Sequence, residues 1–374
     1  MHIGILGAGM VGRAMALDLA VTHQVTSFDI SDESLEILKS RNSAVQTVKA
    51  DLADFRNYPA LLAPFDYIIS AVPGFMGFAA LEAIIRCGKN VVDISFFPED
   101  ALQLDGLAKE KNVTAIMDCG VAPGMSNLVL GYYNAVMKVT WFECLVGGLP
   151  KKRVKPFEYK APFSPVDVLE EYTRPARYQE NGHVVVKPAL SDPELINFEQ
   201  VGTLESFNTD GLRSLLFTMS HIPDMKEKTL RYPGHIGLIQ SLRQAGFLNP
   251  EPVMVKGQWV SPLHFTASLL FDQWKLGATE EEFTIMRISL GNETRTIRYD
   301  LFDVYDPQTG ISSMSRTTGY TCTAALNMLA QGLFTQKGVF PPERVGCEEA
   351  CFRFILNYLA ERNVHYRVTD TPNN

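Results

Sequence analysis

Near the amino terminus, Gly7-Ala8-Gly9-Met10-Val11-Gly12 sets three glycines at G-x-G-x-x-G spacing, directly after one apolar run and at the head of an amphipathic one. In that context the spacing suits one chemistry, the holding of a diphosphate on bare backbone amides. Gly7 permits the tight turn, Gly9 lets amides approach the pyrophosphate, and Gly12 allows close helix–strand packing. The positive end of the following helix then faces the anion. Asp29 ends the next apolar run, about 20 residues beyond the glycines, where a carboxylate accepts hydrogen bonds from the adenosine ribose hydroxyls. Such a carboxylate repels a 2′-phosphate, and neither Ile30 nor Ser31 supplies a positive charge, so NAD is favoured over NADP. The competing reading makes Asp29 a helix-capping or loop residue.

A parallel sheet with crossover helices must position these residues, and the first 120 or so residues alternate accordingly. His2–Leu6, Gln24–Asp29, Ala44–Ala50, Tyr67–Val72, Asn90–Ile94 and Val113–Asp118 read as six strands, with Met10–Ala20 and Phe78–Cys87 among the helices. Ligands bind outside the carboxyl ends of such strands. Ala71, Val72 and Pro73 after the fourth strand and Asp93 at the end of the fifth therefore border the cofactor, or serve only as turn residues. Asp51, after the third strand, reaches the adenine edge or forms a turn. Val121, Ala122 and Pro123, beyond the sixth, complete the cofactor-binding set.

The expected fold class is α/β: an N-terminal Rossmann domain with a doubly wound parallel sheet over residues 1–122, then an α+β substrate and dimerisation domain over 123–314. Residues from about 315 to 365 are expected to pack back on the first domain. In the second domain Trp141–Gly147, Glu282–Leu290 and Thr294–Tyr299 read as strands, the last two joined by a turn at Gly291–Asn292. The segment from Lys151 to Ser191 is rich in Pro, Tyr and charge and is expected to form long loops over a cleft. Thr317–Gly332 reads as a buried helix, and the residues after Val368 as a polar tail.

A chain of 374 residues with 46% hydrophobic and 20% charged residues is an ordinary globular protein with room for two cores. Its net charge of −8 argues against a nucleic-acid partner, and the Lys151-Lys152-Arg153 run reads as a solvated loop. No apolar run is long enough to span a bilayer. The six cysteines lack paired metal-ligand spacing, so no metal is expected and they read as reduced thiols in a cytoplasmic protein.

Two further segments are distinctive: Asp118-Cys119-Gly120-Val121-Ala122-Pro123-Gly124-Met125-Ser126-Asn127, and Thr229-Leu230-Arg231-Tyr232-Pro233-Gly234-His235. With the N-terminal glycines and Gly147-Gly148-Leu149-Pro150, they resemble the saccharopine dehydrogenase-like family from Met1 to roughly Pro342. The glutamate-forming branch typically has Asp-Pro-Gly-Ile-Asp-His where this chain reads Ala122-Pro123-Gly124-Met125-Ser126-Asn127, and an apolar residue where His235 stands. The resemblance therefore leans towards the branch that deaminates the ε-amine of L-lysine with NAD, releasing ammonia. A saccharopine-type or related amino-acid dehydrogenase, and an NAD-binding sensor without turnover, remain the alternatives. The resemblance also implies a small amino-acid substrate and a homodimer.

On this reading His235 is the candidate base or water-activating group, given its tunable pKa; alternatively it is a structural histidine bonded to a loop carbonyl. Arg231, with Arg213 in reserve, offers a guanidinium fork to the substrate carboxylate. Tyr172 and Thr209 line the pocket, and Asp210 or Glu171 could hold the α-ammonium.

Overall fold

The computed structural model describes residues 1–162, 165–277 and 279–373. They form two compact units, Met1–Val139 with Met314–His365, and Thr140–Ser313 with Tyr366–Asn374.

In the first unit the short apolar runs pair as parallel strands, as expected for runs buried on both faces. Seven strands lie in the order Gly338–Phe340, Thr114–Ile116, Asn90–Asp93, Tyr67–Ser70, His2–Leu6, Gln24–Asp29, Gln46–Lys49. The order reverses beside His2–Leu6, which pairs with Gln24–Asp29 on one side and Tyr67–Ser70 on the other. The Gly7–Gly12 loop leaves the sheet at this switch point, where a doubly wound sheet leaves a crevice for ligands. The seventh strand is an addition to the six read from sequence. Gly338–Phe340 is only three residues long, with too little pattern to register, and Thr114–Ile116 supplies its register.

The segment returning to this unit is tied to the first helix, Met10–Leu19, by a half-buried polar network. Asp18 accepts from Arg362 Nε at 2.6 Å, Tyr358 Oη at 2.7 Å and Thr323 Oγ1 at 2.5 Å. Close backbone approach adds a second tie. A Cβ on Gly131 would overlap the Glu343 carbonyl, and one on Gly346 the Leu128 carbonyl.

In the second unit a mixed sheet is built around Trp141–Pro150. That strand pairs parallel with Asp224–Arg231 and antiparallel with Glu282–Gly291, which in turn pairs with Arg295–Val304 through a turn closed by Asn292 and Arg295. Helices Pro165–Thr173, His235–Gln244 and Pro262–Trp274 contribute to a core of Tyr172, Phe207, Ile236, Ile239, Leu270 and Trp274.

Two sequence expectations fail here. The stretch from Lys151 to Ser191 is not long loops alone. It holds the helix Pro165–Thr173 and a hairpin of Ala176–Glu180 with His183–Lys187. The hairpin turns at Asn181-Gly182, both at positive φ (50° and 78°), the Asn-Gly signature of a type I′ turn. The residues after Val368 are not a free tail either. Tyr366–Pro372 is a strand zipped against Arg295–Leu301, with Arg295 Nε donating to Asp370 at 2.8 Å. Its polar composition suits an edge strand.

Replacing Asp18 by Ala should strand Arg362, Tyr358 and Thr323 together and destabilise the protein by about 2 kcal/mol. Urea unfolding of D18A against the parent protein measures this. An unchanged midpoint would deny the network its role.

Candidate functional site

The cofactor loop is held by its own backbone. Gly7 sits at φ +112°, and its N–H donates to Phe28 O at 2.8 Å. A Cβ there would lie 2.5 Å from Ala71 O. One on Gly12 would overlap the Gly7 carbonyl, whereas one on Gly9 would meet nothing within 4 Å. The first and third glycines are thus required by contact with protein, and the second opens on free space. The helix Met10–Leu19 starts with no side-chain cap on Gly9, and the first amides of a helix have no partner inside it. These residues fit a diphosphate.

Asp29 is tied into the loop: Oδ2 accepts from Ala8 N at 2.7 Å and Oδ1 from Ser31 N at 2.9 Å. Its carboxylate therefore orients the loop and marks the end of its strand. Arg13, directly after Gly12, donates from Nη1 to Ala8 O at 3.0 Å, with Arg41 and Asp29 both close enough to act on its charge. Burial and Arg41 lower the Arg13 pKa, and Asp29 raises it. Sequence reasoning looked for cations only beside Asp29, at 30 and 31, and missed both arginines. Arg13 was legible as the residue that follows the last glycine.

Ala71 N donates to Leu6 O at 2.9 Å, which brings Ala71, Val72 and Pro73 beside Gly7. Pro73 caps the helix Gly74–Arg86. Asp51 caps its own turn, accepting from Ala53 N at 2.9 Å. Asp93 is fully buried and accepts from Ser95 N at 2.9 Å and Ser95 Oγ at 3.0 Å. Burial pushes its pKa up to about 7, against these hydrogen bonds and with the nearby Asp118. Cys119 N donates to Asp93 O, and Gly120 N to Pro123 O, so the loop holding Val121, Ala122 and Pro123 folds tightly against the end of the fifth strand. Asn127 turns inward, donating to Glu343 Oε2 at 3.0 Å and accepting from Ser126 Oγ at 3.0 Å.

The second unit gathers Tyr172, Arg231 and His235 into one buried chain. His235 Nδ1 faces Phe157 O at 2.9 Å. A carbonyl only accepts, so Nδ1 carries the proton and Nε2 is bare. Tyr172 Oη, 2.9 Å from Nε2, must then donate to it, and it accepts in turn from Arg231 Nε at 3.1 Å. Arg231 also donates from Nη1 to Leu230 O at 3.0 Å, and from Nη2 to Glu171 Oε2 at 2.8 Å and Tyr159 Oη at 3.4 Å. Its guanidinium lies 4.4 Å from the Tyr159 ring centroid. Burial works against the Arg231 charge, but Tyr159, Tyr172 and Glu171 overcome it and raise its pKa. Burial and the Arg231 charge hold His235 down to about 3.

Of the two readings of His235, this arrangement matches the structural one, a histidine bonded to a loop carbonyl. It is 2% exposed, neutral near pH 7 and spoken for at both nitrogens, so as built it positions Tyr172 instead of taking up protons. Arg231 is likewise already paired, and a substrate carboxylate would have to displace Glu171 to be clamped. Thr209, 5% exposed, spans 3.0 Å to the Thr229 hydroxyl. Arg213 is buried at positive φ (45°) in the loop that follows Thr209. Asp210 does not stand ready for an ammonium, because Arg177 holds it through Nε and Nη2, both at 2.9 Å.

Residues 3–116 match the model of the saccharopine dehydrogenase NADP binding domain, and residues 120–364 that of the saccharopine dehydrogenase C-terminal domain. The chain belongs to the saccharopine dehydrogenase family. Its relatives include the L-glutamate-forming saccharopine dehydrogenase of Pyricularia oryzae, 26% identical over 66% of this chain and 58% of that protein. Another is the carboxyaminopropylagmatine dehydrogenase of Synechocystis, 23% identical over 91% of this chain and 92% of that one. The chain thus spans less than two thirds of the first relative and nearly all of the second. The apo L-glutamate-forming saccharopine dehydrogenase of Saccharomyces cerevisiae shares the fold, with a TM-score of 0.80, 18% identity and 99% of each chain covered.

The depressed His235 pKa carries a stability signature. The unfolded chain takes up the imidazole proton near 6.5, before the folded one does. The resulting penalty is absent above that pH and grows as pH falls towards 3, by at most about 1.4 kcal/mol per pH unit. Urea unfolding of H235Q across this window should show a shallower acid decline than the parent protein. Equal slopes would mean that His235 is not held neutral.

Proposed function

We propose that this chain is an NAD-dependent amino-acid dehydrogenase that removes a hydride from an amine-bearing carbon, with the ε-amine of L-lysine as substrate, the activity of lysine 6-dehydrogenase. The observation carrying the dehydrogenase reading is the Gly7–Gly12 loop at the sheet's switch point, with Asp29 fastened to it through Ala8. Its glycine contacts support a bound dinucleotide, whose nicotinamide ring supplies the hydride acceptor. The Asp29 carboxylate supports NAD; Arg13, on whose charge both Asp29 and Arg41 act, is the feature that would favour NADP.

For the substrate, the support is the half-buried Ala122, where the glutamate-forming branch carries a carboxylate. Ser126 and Asn127, the other departures, are fully buried and serve the loop instead. A second reading, oxidation of saccharopine or of carboxyaminopropylagmatine, is favoured by the names of the relatives, the latter matched over nearly its whole length.

Lysine imposes a physical demand. An ammonium has no lone pair to drive hydride departure, so the amine must react neutral. With a reference pKa of ~10.4, that costs roughly 4–5 kcal/mol at pH 7. With His235 protonating only near 3, that cost falls on desolvation of the substrate amine and on the medium. On this proposal Arg231 keeps a positive charge against which a carboxylate could be set, and Tyr172 keeps the guanidinium oriented.

Reduction of NAD should be followed with L-lysine and then with saccharopine as substrate. Lysine-dependent reduction with kcat/KM rising steeply from pH 7 to 10 is the expected result. Reduction by saccharopine alone would transfer the assignment to the second reading, and a flat pH profile would count against a neutral-amine mechanism. In the same assay Asp29→Ala should shift the NADP-to-NAD ratio of kcat/KM by tenfold or more towards NADP. An unmoved ratio would remove the case for NAD.

A further inference from the structure

Just before the helix Pro262–Trp274, the second unit extends a hairpin that belongs to neither large sheet. Among the described residues Val253–Val255 pairs with Gln258–Val260 alone. The strands turn at Lys256-Gly257, both at positive φ (48° and 86°). Two strands of this length are marginal on their own in water. The base is pinned to the helix start, where Leu263 N donates to Asn249 O at 3.0 Å and Ser261 Oγ to Pro250 O at 3.3 Å. Beyond that base the chain stands in solvent, and every residue from Asn249 to Trp259 is exposed.

The exposed side chains are of the wrong kind for water. Met254 and Trp259 stand opposite each other across the hairpin and so share one face, 54% and 71% exposed. Val253 and Val255, both 48% exposed, occupy the other. In the helix that follows, Phe265 and Leu269 lie on one side at i, i+4 spacing, 55% and 54% exposed. At roughly 150–250 Å² for a fully exposed large side chain, these six offer on the order of 600 Å² of apolar surface. That is the upper end of what the largest patch on a monomer shows.

Area and charge together indicate the occupant. A standard interface takes about 800 Å² from each partner, a little over half of it apolar, and these six side chains supply that share. The chain carries a net charge of −8, so a second copy is repelled over most of the surface. From Val253 to Phe271 there is no Asp or Glu, and Lys256 is the only Lys or Arg. Two acidic copies can meet on this stretch without bringing carboxylates together. A membrane surface would instead call for basic residues beside the apolar ones. A two-fold contact requires a patch that fits itself, and a hairpin apolar on both faces does so by lying against its counterpart.

We propose that the hairpin 253–260 and the exposed side of the helix Pro262–Trp274 form the contact between two copies of this chain, with Trp259 and Phe265 as its anchors. The homodimer expected from the sequence is thereby given a surface. It lies wholly within the second unit and does not depend on the dehydrogenase reading.

Light scattering on the whole protein at high concentration should show an assembly whose mass halves in Trp259→Glu and in Phe265→Glu. Both side chains are exposed, so each variant should keep the parent's far-ultraviolet circular dichroism, and either one decides the question. Trp259→Phe, which leaves the patch apolar, should keep the parent mass. A parent protein that stays a single chain at every concentration would overturn the proposal, and so would glutamate variants of unchanged mass. Flotation of the single chain with phosphatidylcholine vesicles would assign the face to a membrane and overturn it equally.

Discussion

The geometry of the first unit hangs on one close approach, the packing of Gly12 against the Gly7 carbonyl where the opening strand becomes a helix. Neither position tolerates a Cβ, and the contact brings the helix start hard against the end of its strand. Three parallel strands then converge on this turn. Gln24–Asp29 delivers a carboxylate to Ala8 N, and Tyr67–Ser70 delivers Ala71 to the back of Gly7. The turn is thereby shaped by backbone contacts, with Asp29 spending its charge on holding the loop through Ala8 N and Ser31 N. Orientation here comes from strand register, which is why the glycines work only in this setting.

The second unit solves a different problem, keeping an arginine charged while almost wholly buried. An isolated guanidinium in such a place would be prohibitive. Glu171 pairs with it, two tyrosines accept from it or lie against it, and Leu230 takes a further N–H. The Arg231 guanidinium can only donate, and the direction of the Tyr172–His235 bond follows from the Phe157 carbonyl, which fixes the His235 proton and thereby the Tyr172 hydroxyl. The histidine is one end of a chain that orients the guanidinium, and its burial suits it to that work better than to proton transfer.

Much of this was legible in the residues. Three glycines at fixed spacing between an apolar run and an amphipathic one specify a turn whose chemistry is local, and six of the seven strands were legible as short runs alternating with amphipathic stretches, although Gln46–Lys49 is a largely exposed edge strand. The Tyr-Pro-Gly-His segment with its arginine marked a cluster. The Asn181-Gly182 turn was legible too, flanked by His183-Val184-Val185-Val186-Lys187, but the prolines and charges around it masked the signal. The strand Tyr366–Pro372 had no pattern of its own, because an edge strand takes its conformation from the partner it pairs with.

By itself, then, the sequence determined what depends on neighbours in the chain: the glycine turn, the helix it opens, the alternation that makes a parallel sheet, and the residue types able to carry charge. Only the tertiary structure decided which of those charges were available. Asp210 went to Arg177 and Glu171 to Arg231, and His235 lost its titration near neutrality, because burial and hydrogen-bond direction depend on residues dozens of positions away. Arg41 and Asp29 likewise came to act on the charge of Arg13 only in the folded chain. Local geometry is written in spacing, whereas the state of a buried ion is set by everything folded around it.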